Sequence, residues 1–153
     1  MINSEEIKKF AKESGADLCG IVSIDRYDYW DVETMTGKGI LSLKHLGYKA
    51  GLGYIGRNSL LCNDKYGNLI RLGAVITDVE MVADDLMEGD MCSDSCNLCI
   101  NSCPVGAIGI DGIVLQRNCR EHAEIKNKRG VDIYACCECR RVCPNMNGIG
   151  NKY

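Results

Sequence analysis

The chain has 153 residues and a mass of 16.8 kDa, which is enough for one domain or two very small ones. Charged residues make up 25% and hydrophobic residues 46%, and the net charge of −3 excludes a wholly basic nucleic-acid-binding protein. No apolar run approaches the roughly 18 residues that span a bilayer, and the N-terminus lacks the apolar segment of a signal peptide. We therefore expect a cytoplasmic protein with no membrane partner.

Two helices are predicted in the first half of the chain. Residues 3–14 show apolar side chains at helical spacing, and Asn3 and Glu6 have the spacing of a capping box. Gly15 is placed to end this helix. A second, shorter helix is predicted from a cap at Ser42 to Leu46.

Two strands are predicted in the same half. The apolar runs at 17–24 and 69–77 are short and have the length of buried strands. The polar residues 25–39 look like a connection between elements. Cysteine-rich sequence begins near residue 90. The fold class we expect is α+β, with a small region of helices and strands over 1–90 and a cysteine-rich region over 91–153.

Cysteine is the residue type that stands out, with 11 in the chain. Nine of them lie in the range from Cys92 to Cys143. A secreted disulfide scaffold is the ordinary explanation for many cysteines, but an odd count, clustered positions and no visible signal peptide argue against it. We expect a metal-binding protein.

The clustered cysteines form two copies of one motif, each closed by a Cys-Pro pair. Both prolines of the chain occur in these pairs. Cys119 precedes the second copy and can supply its fourth ligand. The copies read Cys92-x3-Cys96-x2-Cys99-x3-Cys103-Pro104 and Cys136-x2-Cys139-x3-Cys143-Pro144.

This spacing predicts two [4Fe-4S] clusters with crossed ligation. In two-cluster ferredoxins the cysteine before proline binds the other cluster, and proline sets a turn there. Zinc is the rival for any Cys-x2-Cys pair, but zinc sites rarely need this longer motif twice. Cluster I is assigned to Cys92, Cys96, Cys99 and Cys143. Cluster II is assigned to Cys103, Cys119, Cys136 and Cys139.

Two details of the ligand set stay open at this point. The first gap of the first motif is x3, where the usual bacterial motif has x2, so we expect one residue between Cys92 and Cys96 to bulge outward. Either Cys136 or its neighbour Cys137 can be the ligand, and the x2 spacing favours Cys136. Cys19 and Cys62 are interpreted as small buried hydrophobic residues.

A glycine-rich segment, Gly51-Leu-Gly53-Tyr-Ile-Gly56, matches the pattern of a dinucleotide-binding loop. Such a site needs a strand just before the loop and an acidic residue about 20 positions later. The preceding SLKHLGYKA looks helical, and no acidic residue lies near position 71. We interpret the loop as a turn that packs between elements.

Several segments together resemble the epoxyqueuosine reductase family, which is similar in turn to corrinoid-dependent reductive dehalogenases. They are IKKFAKESGADLCGIVSIDRYD, AGLGYIGRNSLL, KYGNLIRLGAVITDVEM and the two cysteine motifs. The resemblance implies a corrinoid-binding α/β region joined to a ferredoxin-like module whose clusters pass electrons to cobalt. By this resemblance the residues bordering a corrinoid are Gly51, Leu52, Gly53, Tyr54, Gly56, Arg57 and Asn58.

The chain departs from the family between about Tyr29 and Gly39, where a short connection replaces a long central stretch. No residue here matches the acidic proton donor of that stretch. Our first interpretation is therefore an electron-transfer protein with two clusters and redox protein partners. The alternatives are a compact corrinoid-dependent reductase of the epoxyqueuosine reductase type and a redox or oxygen sensor. Homo-oligomerisation is an expectation, and tRNA is a partner implied by the resemblance alone.

Overall fold

The structure is a computed structural model that describes residues 3–26, 41–90 and 92–149. Within these ranges, none of the helices is long and apolar enough to cross a membrane. The helices are α1 (Ser4–Glu13), a 3-10 turn (Ile24–Arg26), α2 (Leu43–Lys49), α3 (Leu98–Asn101), α4 (Gln116–Ala123) and α5 (Glu138–Arg141). The strands are β1 (Tyr54–Ile55), β2 (Leu61–Cys62), β3 (Glu124–Lys126) and β4 (Asp132–Tyr134).

Helix α1 begins with the capping box that the sequence predicts. The Asn3 side chain accepts a hydrogen bond from the Glu6 N–H at 2.8 Å, and Glu6 Oε2 accepts one from the Asn3 N–H at 3.0 Å. Gly15 follows the helix with φ of +100°, as a C-terminal glycine does. The apolar face is less covered than its spacing implies, since Phe10 is 70% exposed.

Helix α2 packs on a short hairpin made by β1 and β2. The strands are antiparallel, with Tyr54 opposite Cys62. A Cβ on Gly47 would lie 2.6 Å from a methyl carbon of Leu61, so only glycine allows this close approach of helix to hairpin. The helix runs to Lys49, beyond the predicted end at Leu46, and Ser42 stands at its N-cap without a side-chain capping bond.

The two predicted strands at 17–24 and 69–77 are wrong, because both segments are irregular. A strand is stable only when another strand completes its backbone hydrogen bonds. Ile21 accepts one backbone hydrogen bond, from the Asp84 N–H at 2.8 Å, and no ladder extends from it among the described residues. Val75 and Ile76 are 93% and 79% exposed. The predicted connection at 25–39 lies mostly outside the described residues.

The cysteine-rich half is built from short paired elements. Helices α3 and α5 pack against each other, and β3 pairs antiparallel with β4, with Ile125 opposite Ile133. Ile108 and Val114 form an isolated antiparallel bridge. The mixture of short helices and small sheets fits the predicted α+β class. The buried apolar residues are few: Ile21, Ala50, Leu61, Cys62, Cys99, Ala107, Ile108 and Ala123.

Candidate metal centre

One pocket brings together sulfur atoms from both cysteine motifs. It lies where the glycine-rich loop and the hairpin β1–β2 meet α3 and the segment after α5. Its cysteines include the four assigned to cluster I, three from the first motif and one from the second. The pocket is lined by Arg57, Asn58, Cys62, Cys92, Cys96, Leu98, Cys99, Cys143, Pro144 and Asn145.

The backbones of the two motifs repeat each other. The Cys103 N–H donates to the Ile100 carbonyl at 3.2 Å, and the Cys143 N–H donates to the Arg140 carbonyl at 3.2 Å. After each Cys-Pro pair the chain turns back in the same way: Gly106 N–H bonds to Cys103 and Met146 N–H to Cys143. The same cysteine spacing therefore gives the same backbone structure in both motifs. The packing of α3 on α5 brings the two motifs into contact.

The cysteines assigned to cluster II are also neighbours. Burial raises the pKa of Cys119, and the nearby Cys103 and Cys136 raise it further. Burial likewise raises the pKa of Cys139 to about 11, with added contributions from Cys119 and Cys136. These contributions indicate that the four thiols lie near one another, and this set is named the second thiol group.

The two groups adjoin each other at the paired helices. The pKa of Cys139 is raised by Cys99 as well as by the cysteines of its own group. Cys99 is buried in α3, and α5 carries Cys139. The helix pair thus holds one sulfur of each group on neighbouring elements.

The first thiol group is the set assigned to cluster I, and its sulfurs repel one another as thiolates. Its members are Cys92, Cys96, Cys99 and Cys143. Burial raises the pKa of Cys99 and of Cys143, and the charges of Cys92 and Cys96 raise both further. Without a bound cation, the thiols of Cys99 and Cys143 stay protonated at neutral pH. A metal reverses this preference, since a thiol that coordinates one is deprotonated. Thiolates are the ligands that iron–sulfur clusters require, so the donor chemistry of both groups fits such clusters.

The sulfurs stand around the pocket and do not meet at one point. Across residues 3–26, 41–90 and 92–149, no three histidine, cysteine, aspartate or glutamate side chains converge on the position of a single metal ion. The pocket therefore presents the four sulfurs assigned to cluster I, with that of Cys62 beside them, as separated donors.

Backbone N–H groups donate hydrogen bonds to three of the cysteine sulfurs. The Ala107 N–H donates to Cys103 Sγ at 3.2 Å. The N–H groups of Ile100 and Asn145 hydrogen-bond to Cys99 and Cys143 and oppose the effect of burial on their pKa values. Such bonds stabilise negative charge on sulfur.

The extra residue of the first motif lies in a turn on the surface. Ser93, Asp94 and Ser95 are all exposed, and the Cys96 N–H donates to the Ser93 carbonyl at 3.0 Å. The motif thus accommodates its longer first gap by an outward bulge, as the sequence predicts. Cys92 lies at the start of that turn.

The adjacent candidates Cys136 and Cys137 differ in their burial and in their neighbours. Cys136 is half-buried and contributes to the electrostatics of Cys119 and Cys139. Cys137 is exposed and stands at the N-cap of α5. The structure therefore groups Cys136, and not Cys137, with the second set.

The glycine-rich loop packs against its own chain. A Cβ on Gly51 would lie 2.1 Å from the Asp85 carbonyl oxygen, and one on Gly53 would lie 2.1 Å from the Cys62 carbonyl oxygen. A Cβ on Gly56 would lie 3.1 Å from Cys62 Sγ. The three glycines are therefore explained by close packing of the loop against its own chain.

The remaining loop residues have separate roles. Tyr54 Oη donates to the Glu88 carbonyl at 2.8 Å, away from the pocket. Leu52 is half-buried and packs beside Gly20. Arg57 and Asn58, in contrast, line the pocket with the cysteines. The residues that resemblance assigned to a corrinoid are thus divided, and two of them face the first thiol group.

Cys62 is the pocket residue whose role the sequence analysis missed. It is buried, as expected, with 3% of its surface exposed. However, it also lines the pocket of the first thiol group. Because Cys62 is far from the cysteine motifs in the sequence, nothing in the sequence indicates that it lines their pocket.

Comparison with known proteins shows that the chain belongs to the epoxyqueuosine reductase family. No protein-family model matches it. The epoxyqueuosine reductase of Bacillus anthracis is 32% identical over 128 residues, which cover 78% of this chain and 33% of that protein. The enzyme of the same name from Staphylococcus aureus is 29% identical over 131 residues, with coverage of 80% and 34%. Its relatives are epoxyqueuosine reductases.

Solved structures of epoxyqueuosine reductases show the same fold. The Streptococcus thermophilus structure covers 97% of this chain and 40% of its own, with a TM-score of 0.59 and 25% identity. A crystal structure with an epoxyqueuosine-modified tRNA-Tyr stem loop matches equally, at 24% identity. The chain spans about a third of the length of the curated epoxyqueuosine reductases it matches. These similarities favour the reductase interpretation over that of a free electron carrier.

Proposed function

We propose that the chain is the electron-delivering part of an oxidoreductase of the epoxyqueuosine reductase type and holds two [4Fe-4S] clusters. One observation supports this proposal: eight cysteines, seven from the two motifs together with Cys119, lie in two adjacent groups of four. Four thiolates are what each cluster of this type needs. The similarity to epoxyqueuosine reductases supports the same kind of chemistry.

The ligands in this proposal are those assigned from the motif spacing. The last cysteine of each motif binds the cluster of the other motif. The clusters therefore join residues 91–153 into one ferredoxin-like module, and residues 1–90 form the region that resembles part of an α/β domain. Cluster I is held by Cys92, Cys96, Cys99 and Cys143. Cluster II is held by Cys103, Cys119, Cys136 and Cys139.

When bound, each cluster accepts and releases one electron at a time. The protein's part is to hold the sulfurs and set their charge. The amides of Ile100, Ala107 and Asn145 donate to sulfur and so favour the more negative, reduced state. Arg57 lines the first pocket and adds a positive charge that acts in the same direction.

Electron passage between the two groups is supported by the helix pair. Cys99 of α3 and Cys139 of α5 belong to different groups and stand on elements in contact. Because the segments around them are fixed by repeated backbone hydrogen bonds, little rearrangement accompanies a change of charge. We propose that an electron enters at one group and leaves from the other.

The acceptor and substrate in the complete reductase are proposed from the relatives. An epoxyqueuosine-containing tRNA stem loop is the substrate class, since a solved relative carries one. Corrinoid binding is implied by the family resemblance. A free two-cluster carrier is the second candidate, and it is favoured by the short connection between about Tyr29 and Gly39, where the family has a long central stretch.

The deciding experiment is a metal count on protein purified without oxygen, incubated with a corrinoid and desalted. We expect about eight iron and eight sulfide per chain, and uptake of about two electrons on reductive titration. Zinc without sulfide would refute the proposal. About one cobalt per chain, with turnover of an epoxyqueuosine stem loop, would favour the reductase. No cobalt, together with electron exchange with a redox protein, would favour the carrier.

A further inference from the structure

The first thiol pocket holds one cysteine more than a cluster needs. Each [4Fe-4S] cluster takes four thiolates. Five cysteines line this pocket: Cys62, Cys92, Cys96, Cys99 and Cys143. One sulfur is therefore in excess, and its position decides what it does.

The fifth sulfur lies beside that of Cys92. Gly56 separates the two: its missing Cβ would lie 3.1 Å from Cys62 Sγ and 3.7 Å from Cys92 Sγ. After burial, Cys143 and then Cys92 are the charges that do most to raise the pKa of the Cys62 thiol. Glycine at position 56 keeps the space between these two sulfurs free of a side chain.

The two cysteines differ in how they are held. Cys92 stands before the exposed turn of Ser93–Ser95, which contains the residue that lengthens the motif. Cys62 stands in β2, 3% exposed, paired with Tyr54 of β1. Its thiol donates a weak hydrogen bond to the Leu60 carbonyl, at 3.6 Å, and its sulfur is hydrogen-bonded to the Gly56 N–H. A ligand at the edge of an exposed turn thus has a thiol held in a buried strand next to it.

We propose that Cys62 is a reserve ligand for cluster I and can bind the iron that Cys92 binds. The inference rests on the proposed function, since it requires the cluster. In the exchange, Cys62 gives up its thiol proton and forms the bond to iron, while Cys92 releases iron and takes up one proton. No electron is transferred, and cluster charge and total protons are conserved.

The test is the iron and sulfide content of cysteine variants, together with the EPR spectrum of the reduced protein. Cys92→Ala is expected to keep about eight iron per chain with altered g-values, because Cys62 takes the vacant place. Cys62→Ala keeps about eight as well, whereas the double variant falls to about four. Cys92→Ser provides a second form of the first variant if Cys92→Ala does not fold.

Two controls make the result specific. Cys19→Ala removes a cysteine outside the pocket and should keep about eight iron. Cys96→Ala removes a ligand at the standard spacing from Cys99 and should fall to about four. The proposal is overturned if Cys92→Ala alone falls to about four, or if the double variant keeps about eight. A parent protein without iron and sulfide would instead refute the proposed function itself.

Discussion

Arg57 donates a hydrogen bond at 2.9 Å to the side chain of Asn97, the residue that directly precedes the helix carrying Cys99. A second bond, at 2.8 Å, runs to the Asp94 carbonyl in the bulged turn. One side chain of the glycine-rich loop therefore ties down the first cysteine motif at two points. Arg57 is thus one of the residues that connect the N-terminal region with the cysteine-rich half, beside the Asn68 N–H, which donates to the Met146 carbonyl at 3.0 Å.

Arg57→Ala should loosen the first motif. Each hydrogen bond from a charged donor contributes about 1.5–3 kcal/mol when partly buried, so we expect a clear fall in unfolding temperature. Iron should also be lost faster to a chelator, which absorbance measures directly. Arg117→Ala is the control, because its exposed pair with Glu121 contributes about 0.5 kcal/mol or less. Equal iron loss in both variants would contradict the role of Arg57.

Cys136→Ser and Cys137→Ser test the choice between adjacent cysteines. Because Cys136 lies with the second thiol group and Cys137 is exposed, only the first change should remove a cluster. We expect about four iron per chain for Cys136→Ser and about eight for Cys137→Ser. The opposite pattern would assign the ligand to Cys137.

Gly53→Ala should be strongly destabilising. The new Cβ would lie 2.1 Å from the backbone oxygen of Cys62, so β1 and β2 would have to separate. Overpacking of this kind costs about 1–3 kcal/mol, and backbone atoms leave little room to adjust. Urea unfolding measures the cost. The matched control is Gly73→Ala, which has open space and should be neutral or stabilise by up to about 1 kcal/mol.

The reactivity of Cys62 should depend steeply on pH in metal-free protein. Burial, followed by the charges of Cys143 and Cys92, raises its pKa to about 12. The thiolate is the reactive form, and below the pKa its fraction grows about tenfold per pH unit. We therefore expect slow alkylation of Cys62 at pH 7 and a rate still rising at pH 10, followed by mass spectrometry. A rate that levels off near pH 9 would contradict the raised pKa.

Asp84→Asn should release the N-terminal helix. The Asp84 carboxylate binds Lys8 of α1 and accepts the Ile21 N–H at 2.8 Å. The hydrogen bond to Asp84 is the main reason why the pKa of Lys8 is raised. Removing the negative charge should speed amide exchange over α1 at pH 7. Glu13→Gln breaks only an exposed pair with Lys9 and should leave that exchange unchanged.

Features that depend on neighbours in sequence were predictable. The capping box of Asn3 and Glu6 forms within one helical turn, and its residues suffice to specify it. The same holds for the repeated turns after Cys103 and Cys143, where equal spacing gives equal backbone hydrogen bonds. The two thiol groups followed from the motif rules of two-cluster ferredoxins, which already contain the long-range information.

Features that depend on distant partners were not predictable from one sequence. The segments 17–24 and 69–77 have the composition of strands, but composition cannot supply the neighbouring strand that would complete their hydrogen bonds. Cys62 was correctly expected to be buried. What surrounds it was not foreseeable, because Cys92 and Cys143 reach it through the tertiary packing of the cysteine motifs.

Asp84 has a consequence for how the N-terminal arm, residues 3–26, is attached. Four hydrogen bonds converge on this residue: its carboxylate binds Lys8 and the Ile21 N–H, its N–H donates to the Ile21 carbonyl, and its carbonyl accepts from Arg26. In a sheet, such bonds would be spread over many residues, and losing one would leave the others in place. Here a helix, an irregular segment and a 3-10 turn all bond to one residue, so loss of Asp84 should loosen the three parts of the arm together while the thiol groups stay assembled.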